Sequence, residues 1–397
     1  MHYSNKPKGH FPKKRKAKPQ RSGSGRAKSN LNPAELIQKA KPQAQSSFEA
    51  AQPFTAWDLQ PALQKTLNHK GFTEPTEVQE KTIEAMQAGK NLVGIARTGT
   101  GKTGAFLIPI IDKLLRTNKN FNTLILAPTR ELALQIEAEF KTLTAGMGLH
   151  SACFIGGTNI NHDLRVLSKR KHLVVGTPGR LLDLASRKAL YFKDFEVLVL
   201  DEFDRMLDMG FAADVDRITS AMSRRKNTYL FSATLNASQE AHINRLVGAN
   251  APRIKVSNGE VTAEHIDQEI IKLKEGEDKF NVLLDMLNQN DFNKVLVFAE
   301  TKRWVSRVHK KLHKSGVRCD EIHGNKSQNY RQKALKKFKG GQIKVLVATD
   351  VAARGIDVSD VSHVINYQLP ATMDSYIHRI GRTGRAGKAG KAFTFVN

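Results

Sequence analysis

At 397 residues, 40% hydrophobic and 25% charged, the chain is long enough for two or three globular domains and ordinary enough in composition to bury their cores. Its two cysteines, Cys153 and Cys319, exclude a disulfide framework and a four-cysteine zinc site, and its longest apolar runs, such as 105–111, are too short to span a bilayer. Sixty-three Lys and Arg against 38 Asp and Glu leave a formal net charge of +25, an excess that points to a polyanionic partner, a nucleic acid before an anionic membrane surface.

The first thirty residues hold ten Lys and Arg, no acid and little aliphatic content. Such a segment cannot bury enough apolar surface to offset its ordering entropy, so residues 1–50 are expected to form a disordered basic arm. The run Lys13–Lys16 (KKRK) suits two readings, phosphate contact and a nuclear import signal. The arm accounts for +10 of the charge (12 Lys and Arg less two Glu), and the remaining +15 lies in the rest of the chain.

From about Phe54, short β-branched runs alternate with helical stretches. Strands are predicted at 91–96, 123–127, 172–176, 197–200 and 228–232, and a second series at 294–299, 344–348, 363–366 and 392–396. Continuous apolar strands separated by helices indicate parallel sheets covered on both faces. The expected fold class is therefore α/β, with two domains at 51–257 and 264–397 and a polar linker at 258–263. Ligands of open α/β sheets bind at the carboxyl ends of strands, and polar motifs follow strand after strand here: ARTGTGKT, APTREL, GTPGR, DEFD, SAT and ATDVAARGID.

Ala96–Thr103 (ARTGTGKT) lies between a predicted strand and a predicted helix, the setting of a phosphate-binding loop. Gly99 and Gly101 let the backbone wrap phosphates, Lys102 supplies a cation and Thr103 a hydroxyl for Mg²⁺; Arg97, Thr98 and Thr100 complete the nucleotide-binding loop. Ala96 stands where the general pattern has its first glycine. In the run 201–204 (DEFD), Asp201 is placed to hold Mg²⁺, largely through water, and Glu202 to orient or deprotonate an attacking water.

The ordered set of motifs resembles the DEAD-box RNA helicases from about Phe54 to the C-terminus. It comprises 71–79 (GFTEPTEVQ), the phosphate loop, 128–132 (PTREL), Gly156-Gly157, 177–180 (TPGR), DEFD and 232–234 (SAT), then 297–301 (VFAET), 328–331 (QNYR), 349–357 (TDVAARGID) and 378–385 (HRIGRTGR). The resemblance implies two tandem RecA-like P-loop NTPase domains and an ATP-dependent RNA helicase that uses ATP and Mg²⁺. It implies that Phe72 stacks on adenine and Gln79 reads its edge, that Arg382 and Arg385 are arginine fingers, and that Asp357 contacts the ribose. Asp204, Ser232, Thr234 and His378 are implied to couple the nucleotide and RNA sites. Pro128, Thr129, Arg130, Gly157, Thr177, Gly179, Arg180, Gln328, Arg331, Thr349 and Gly355 are implied to face RNA, with side chains and glycine amides suited to phosphates and sugars rather than bases.

One departure stands in the namesake motif, where Phe203 replaces alanine; local repacking with activity intact is the expectation. The chain also stops soon after its last predicted strand, where family members usually continue, so a truncated C-terminus is a further expectation. A helicase of ribosome assembly or RNA turnover, in the cytoplasm, is the reading that follows; a nuclear protein using KKRK is the alternative. Two rival functions are a DNA translocase, against which Gln79 and SAT argue, and an ATP-independent RNA chaperone working through the basic arm.

Overall fold

The computed structural model describes residues 31–40, 48–96, 99–117, 123–169, 171–256, 266–353, 361–384 and 390–396. Residues 1–30 and the predicted linker 258–263 lie outside the described residues, as do Arg97, Thr98, Gly355, Asp357 and Arg385.

The first sheet is built from β1 (Leu92–Ile95), β2 (Thr123–Leu126), β3 (Ser151–Phe154), β4 (Leu173–Gly176), β5 (Val197–Leu200), β6 (Asn227–Ser232) and β7 (Arg253–Lys255), in the order β3-β4-β2-β5-β6-β1-β7. The second contains β8 (Ile266–Lys272), β9 (Val295–Phe298), β10 (Cys319–Ile322), β11 (Val345–Ala348), β12 (His363–Asn366) and β13 (Gly390–Val396), in the order β10-β11-β9-β12-β13-β8. Pairing is parallel throughout both sheets. Helices such as Lys102–Thr117 and Arg130–Leu143 supply the crossovers.

Side chains one residue apart on a strand point to opposite faces, and here both faces are dry. Ile125 and Val199 pack into one cluster with Ala105, Phe106 and Ile136, while Leu124, Leu126, Leu198 and Leu200 pack into another with Phe195, Met206 and Ile218. Each such buried side chain contributes about 1.5–3 kcal/mol through removal of apolar surface from water. The second sheet is sandwiched in the same way, with Leu296 and Leu346 on one face and Val295, Val297 and Val347 on the other. Among the described residues no helix is long and apolar enough to cross a membrane.

Part of the expected arm is structured. Residues 31–40 do not trail away but pack on the second domain: Pro33–Leu36 forms a 3₁₀ turn, and Leu36 is fully buried beside Ile266 and Tyr376. Its physical basis is a local apolar content that the average over 1–50 dilutes, because ten of the twelve cationic side chains precede Asn30 while Leu31, Pro33, Leu36 and Ile37 follow it. The second domain thus draws a segment from upstream of the first.

Candidate active site and nucleic-acid interface

The phosphate loop and the acidic motif meet at the carboxyl ends of β1 and β5, which β6 separates. Lys102 opens the helix Lys102–Thr117, is 6% exposed, and has a buried ammonium with no hydrogen-bond partner among the described residues. An unpartnered buried cation is costly. A phosphate would relieve that cost, and the adjoining helix N-terminus favours the same charge. Gly99 and Gly101 both have positive φ, at 90° and 96°, the conformation that turns the loop toward the helix.

Gln79 sits against this loop. Its Oε1 accepts from the Thr76 backbone N–H at 2.9 Å, and its Nε2 donates to the Gly101 carbonyl at 3.2 Å. An amide has two donors and two acceptor lone pairs, so one of each remains, which is what the edge of adenine requires. The Thr76 hydroxyl donates to the Thr100 carbonyl at 2.8 Å, tying the same turn to the loop. Phe72 is half-buried, edge-on to Phe54 with centroids 6.2 Å apart, and lies beside Gly104.

Asp201 follows β5 and is 2% exposed. Burial pushes its carboxyl up to about 6, against the opposing pull of Lys102. Glu202 adopts the left-handed conformation, φ 51° and ψ 53°, which an L-residue with a side chain adopts only when held there. Two contacts hold it: its N–H donates to Asp201 Oδ1 at 2.9 Å, and its carboxylate accepts from Arg205 Nη1 at 2.9 Å. Both members of the Glu202–Arg205 pair are nearly solvent-free. Sequence reading missed Arg205; its signal is a cation three residues after Glu202, on the same face of the helix Phe203–Asp208.

The expected coupling residues of the first domain are brought together. Asp204 Oδ2 accepts from the backbone N–H groups of Ala233 and Thr234, at 3.2 and 3.1 Å, and from the Thr234 hydroxyl at 3.1 Å. Ser232 Oγ accepts from the Asp204 N–H at 3.3 Å and donates to the Thr234 carbonyl at 2.7 Å. The acidic motif and SAT are therefore tied together. His378 belongs to the helix Met373–Ile380 of the second domain, where its carbonyl accepts from Arg382 Nε at 3.2 Å.

Phe203 turns away from this network. It is fully buried among Leu200, Met206 and Ile218, with its ring edge-on to His242 at 5.5 Å, and His242 is held by Asp216 at 2.8 Å. Phe203→Ala is expected to cost about 3–5 kcal/mol through the cavity it leaves, read as a lowered urea midpoint, with the Michaelis constant for ATP unchanged.

Several of the predicted RNA-facing residues are brought together around Arg130. Arg130 lies over Gly156 and Gly157, so close that a Cβ added at Gly157 would fall 2.5 Å from Arg130 Nη1. Burial lowers the Arg130 pKa, and the neighbouring Arg331 and Arg180 lower it further. Arg180 is oriented by Asp163 at 2.9 Å and by the Thr158 carbonyl at 2.7 Å. Thr129 and Thr177 stand at the N-caps of their helices; Pro128 is buried beside Thr129, and Gly179 has open space around it. In the second domain Thr349 opens the helix Asp350–Ala353, its carbonyl accepting from the Ala352 N–H at 3.1 Å.

Glu131 joins the two halves, and sequence reading passed over it. Glu131, 5% exposed, accepts from Gln328 Nε2 at 3.1 Å and pairs with Arg331 Nη2 at 3.0 Å, while Arg130 Nη1 donates to Gln328 Oε1 at 3.5 Å. Arg379, a neighbour of Arg382, has its guanidinium locked into the second domain by Asp350 at 2.5 and 2.8 Å and by Asn366 at 3.1 Å.

Residues 76–242 match the DEAD/DEAH box helicase family and residues 278–387 the helicase conserved C-terminal domain. The DEAD-box ATP-dependent RNA helicase CshA of Streptococcus pneumoniae is 42% identical over 345 residues, which cover 86% of this chain and 65% of that protein. The CshA of Bacillus licheniformis is 41% identical over 343 residues, covering 86% of this chain and 70% of that protein. The solved structure of Saccharomyces cerevisiae Dbp5 bound to RNA and ADP BeF3 aligns with a TM-score of 0.78 at 30% identity, over 87% of this chain and 90% of that one. Nucleotide loop, acidic motif and two RecA-like domains agree with these matches, and the chain belongs to the DEAD-box ATP-dependent RNA helicase family.

Proposed function

We propose that this chain hydrolyses ATP in response to RNA and uses the cycle to open short RNA duplexes and rearrange RNA–protein complexes locally, with little sequence preference. The observation that carries this reading is the Glu131 contact with Gln328 and Arg331, which joins the motif at 128–132 of the first domain to the motif at 328–331 of the second. A strand of RNA laid there touches both domains at once, and a site completed only when the domains meet binds its ligand cooperatively with the nucleotide that also bridges them.

In this reading Phe72 and Gln79 select adenine, and the amides of 99–101 with Lys102 hold the phosphates. Asp201 and Thr103 fit Mg²⁺: burial raises the Asp201 carboxyl toward neutrality, and a bound cation would keep it ionised. The metal, when bound, neutralises phosphate charge. Glu202 orients the attacking water and receives its proton, while Arg205 fixes the direction of that carboxylate. Arg382 arrives from the second domain to stabilise charge on the transferring phosphoryl group. Loss of the γ-phosphate removes the ligand that both domains share, so the cleft reopens and RNA leaves. Since the surface offers guanidinium groups and glycine amides to phosphates and sugars, structured RNAs of ribosome assembly or turnover are substrates of the class it suits.

Steady-state ATP hydrolysis measured alone, with RNA and with DNA of matched sequence tests the proposal. Strong stimulation by RNA and little by DNA is expected, because 2′-hydroxyl contacts separate the two. Equal stimulation by DNA would replace the reading with a DNA translocase, and no hydrolysis under any condition would overturn it.

A further inference from the structure

The residues before the first domain occupy a built position on the second. Beyond the buried Leu36, Gln38 forms an antiparallel bridge with Gln268 of β8, its N–H donating to the Gln268 carbonyl at 3.1 Å and its carbonyl accepting in return at 2.7 Å. Gln268 Nε2 also donates to Gln38 Oε1 at 3.4 Å, and the Ala40 N–H donates to Asp267 Oδ1 at 2.8 Å. β8 is an edge strand of its sheet, and an open edge carries backbone groups that need a partner. The segment supplies that partner in the manner of an added strand.

The other face of Gln268 leads to the catalytic helix. Its Oε1 accepts from the Tyr376 hydroxyl at 3.0 Å, and both side chains are buried, 3% and 1% exposed. Tyr376 belongs to the helix Met373–Ile380, which carries His378 and leads directly into Arg382. Leu36 packs in the same apolar cluster as Tyr376 and Ile380, so the segment touches the seat of this helix through packing and through the amide of Gln268. Resting on the ATPase reading given above, we propose that residues 31–40 are a positioning segment for the arginine-finger helix, bound in cis in a groove between β8 and the helix Met373–Ile380.

The segment works through geometry alone. Without it the Gln268 amide loses Gln38 as one of its partners, so the acceptor of the Tyr376 hydroxyl is less constrained, and a void opens where Leu36 stood. Arg382 then approaches the phosphoryl group from a less defined position, and a displacement of the order of 1 Å costs up to about 10² in rate. Binding of ATP is made chiefly by the first domain, so turnover and nucleotide affinity respond differently.

Three chains are to be compared: full length, lacking residues 1–30, and lacking residues 1–40. Removal of 1–30 is expected to leave kcat for RNA-stimulated ATP hydrolysis unchanged. Removal of 1–40 is expected to lower it about tenfold with KM for ATP unchanged. A synthetic peptide of residues 31–40 added in trans is expected to restore kcat, and the same peptide with Leu36→Asp is not. Peptide binding followed by fluorescence anisotropy gives a readout independent of activity, and Tyr376→Phe, which removes one hydroxyl, is expected to lower kcat in the intact chain. Equal kcat in all three chains would overturn the proposal, as would a shorter chain that binds the peptide without any gain in kcat. A full-length chain without RNA-stimulated hydrolysis would instead overturn the ATPase reading, and peptide capture would still report whether the groove exists.

Discussion

Glu202→Gln is expected to lower RNA-stimulated ATP turnover by about 10²–10⁴, the contribution of a positioned general base, while ATP-dependent RNA binding persists. The substitution suits this site because of Arg205. A glutamine keeps an oxygen that accepts from the Arg205 guanidinium, whereas alanine would leave a buried cation without its partner, a loss of about 3–5 kcal/mol. The protein should therefore fold, bind ATP and RNA, and stall before hydrolysis. Single-turnover hydrolysis with filter binding of labelled RNA checks both halves. Turnover at the wild-type rate would remove Glu202 from its assigned role; loss of RNA binding would show that the carboxylate shapes the closed state itself.

The second large effect is expected at Arg382. An arginine finger supplies about 10³–10⁵ in rate, and Arg382→Met should approach that loss for RNA-stimulated hydrolysis. The methionine keeps an apolar stem of similar length at a position only 6% exposed, so packing of the Met373–Ile380 helix is little disturbed. What disappears is the donor fork, including the Nε–H that now reaches the His378 carbonyl. Because the arginine belongs to the second domain, ATP affinity of the RNA-free protein is expected to stay within about twofold, a change of some 0.4 kcal/mol. Comparing kcat with nucleotide titrations in the absence of RNA separates these effects. A parallel loss of nucleotide affinity and rate would mean that Arg382 already contacts the nucleotide before the domains close.

Arg205 and Glu131 show how little a motif says about the groups beside it. Both stand next to residues the sequence singles out, both are charged, and both would pass for solvated surface. Their roles come from burial: each is about 4–5% exposed and each is satisfied by a partner that folding delivers. Arg205 finds its partner one helical turn back, whereas Glu131 finds Gln328 and Arg331 nearly two hundred residues away. Gln79 illustrates the reverse. The resemblance alone marked its amide, and the structure adds that half its hydrogen-bonding capacity is given to Thr76 and Gly101.

By itself the sequence determined the α/β class, the two-domain division and every strand interior to a sheet. β1, β2, β4, β5, β6, β9, β11, β12 and β13 lie inside their sheets and each has an apolar centre, found within a residue or two of its bounds. The four strands it did not show, β3, β7, β8 and β10, are the four sheet edges. β8 carries Asp267, Gln268 and Glu269 along a partly solvated edge, and β10, though buried, carries Asp320 and Glu321 because Tyr330, Ser306 and Lys326 satisfy them, so neither sequence shows the apolar signal. The tertiary structure alone decided these strands, the pairing of Glu131 with Arg331 and the seating of Leu36. Apolar periodicity is a property of one segment and its own burial, whereas an edge, an ion pair between domains and a docked segment are each defined by a partner distant in the chain.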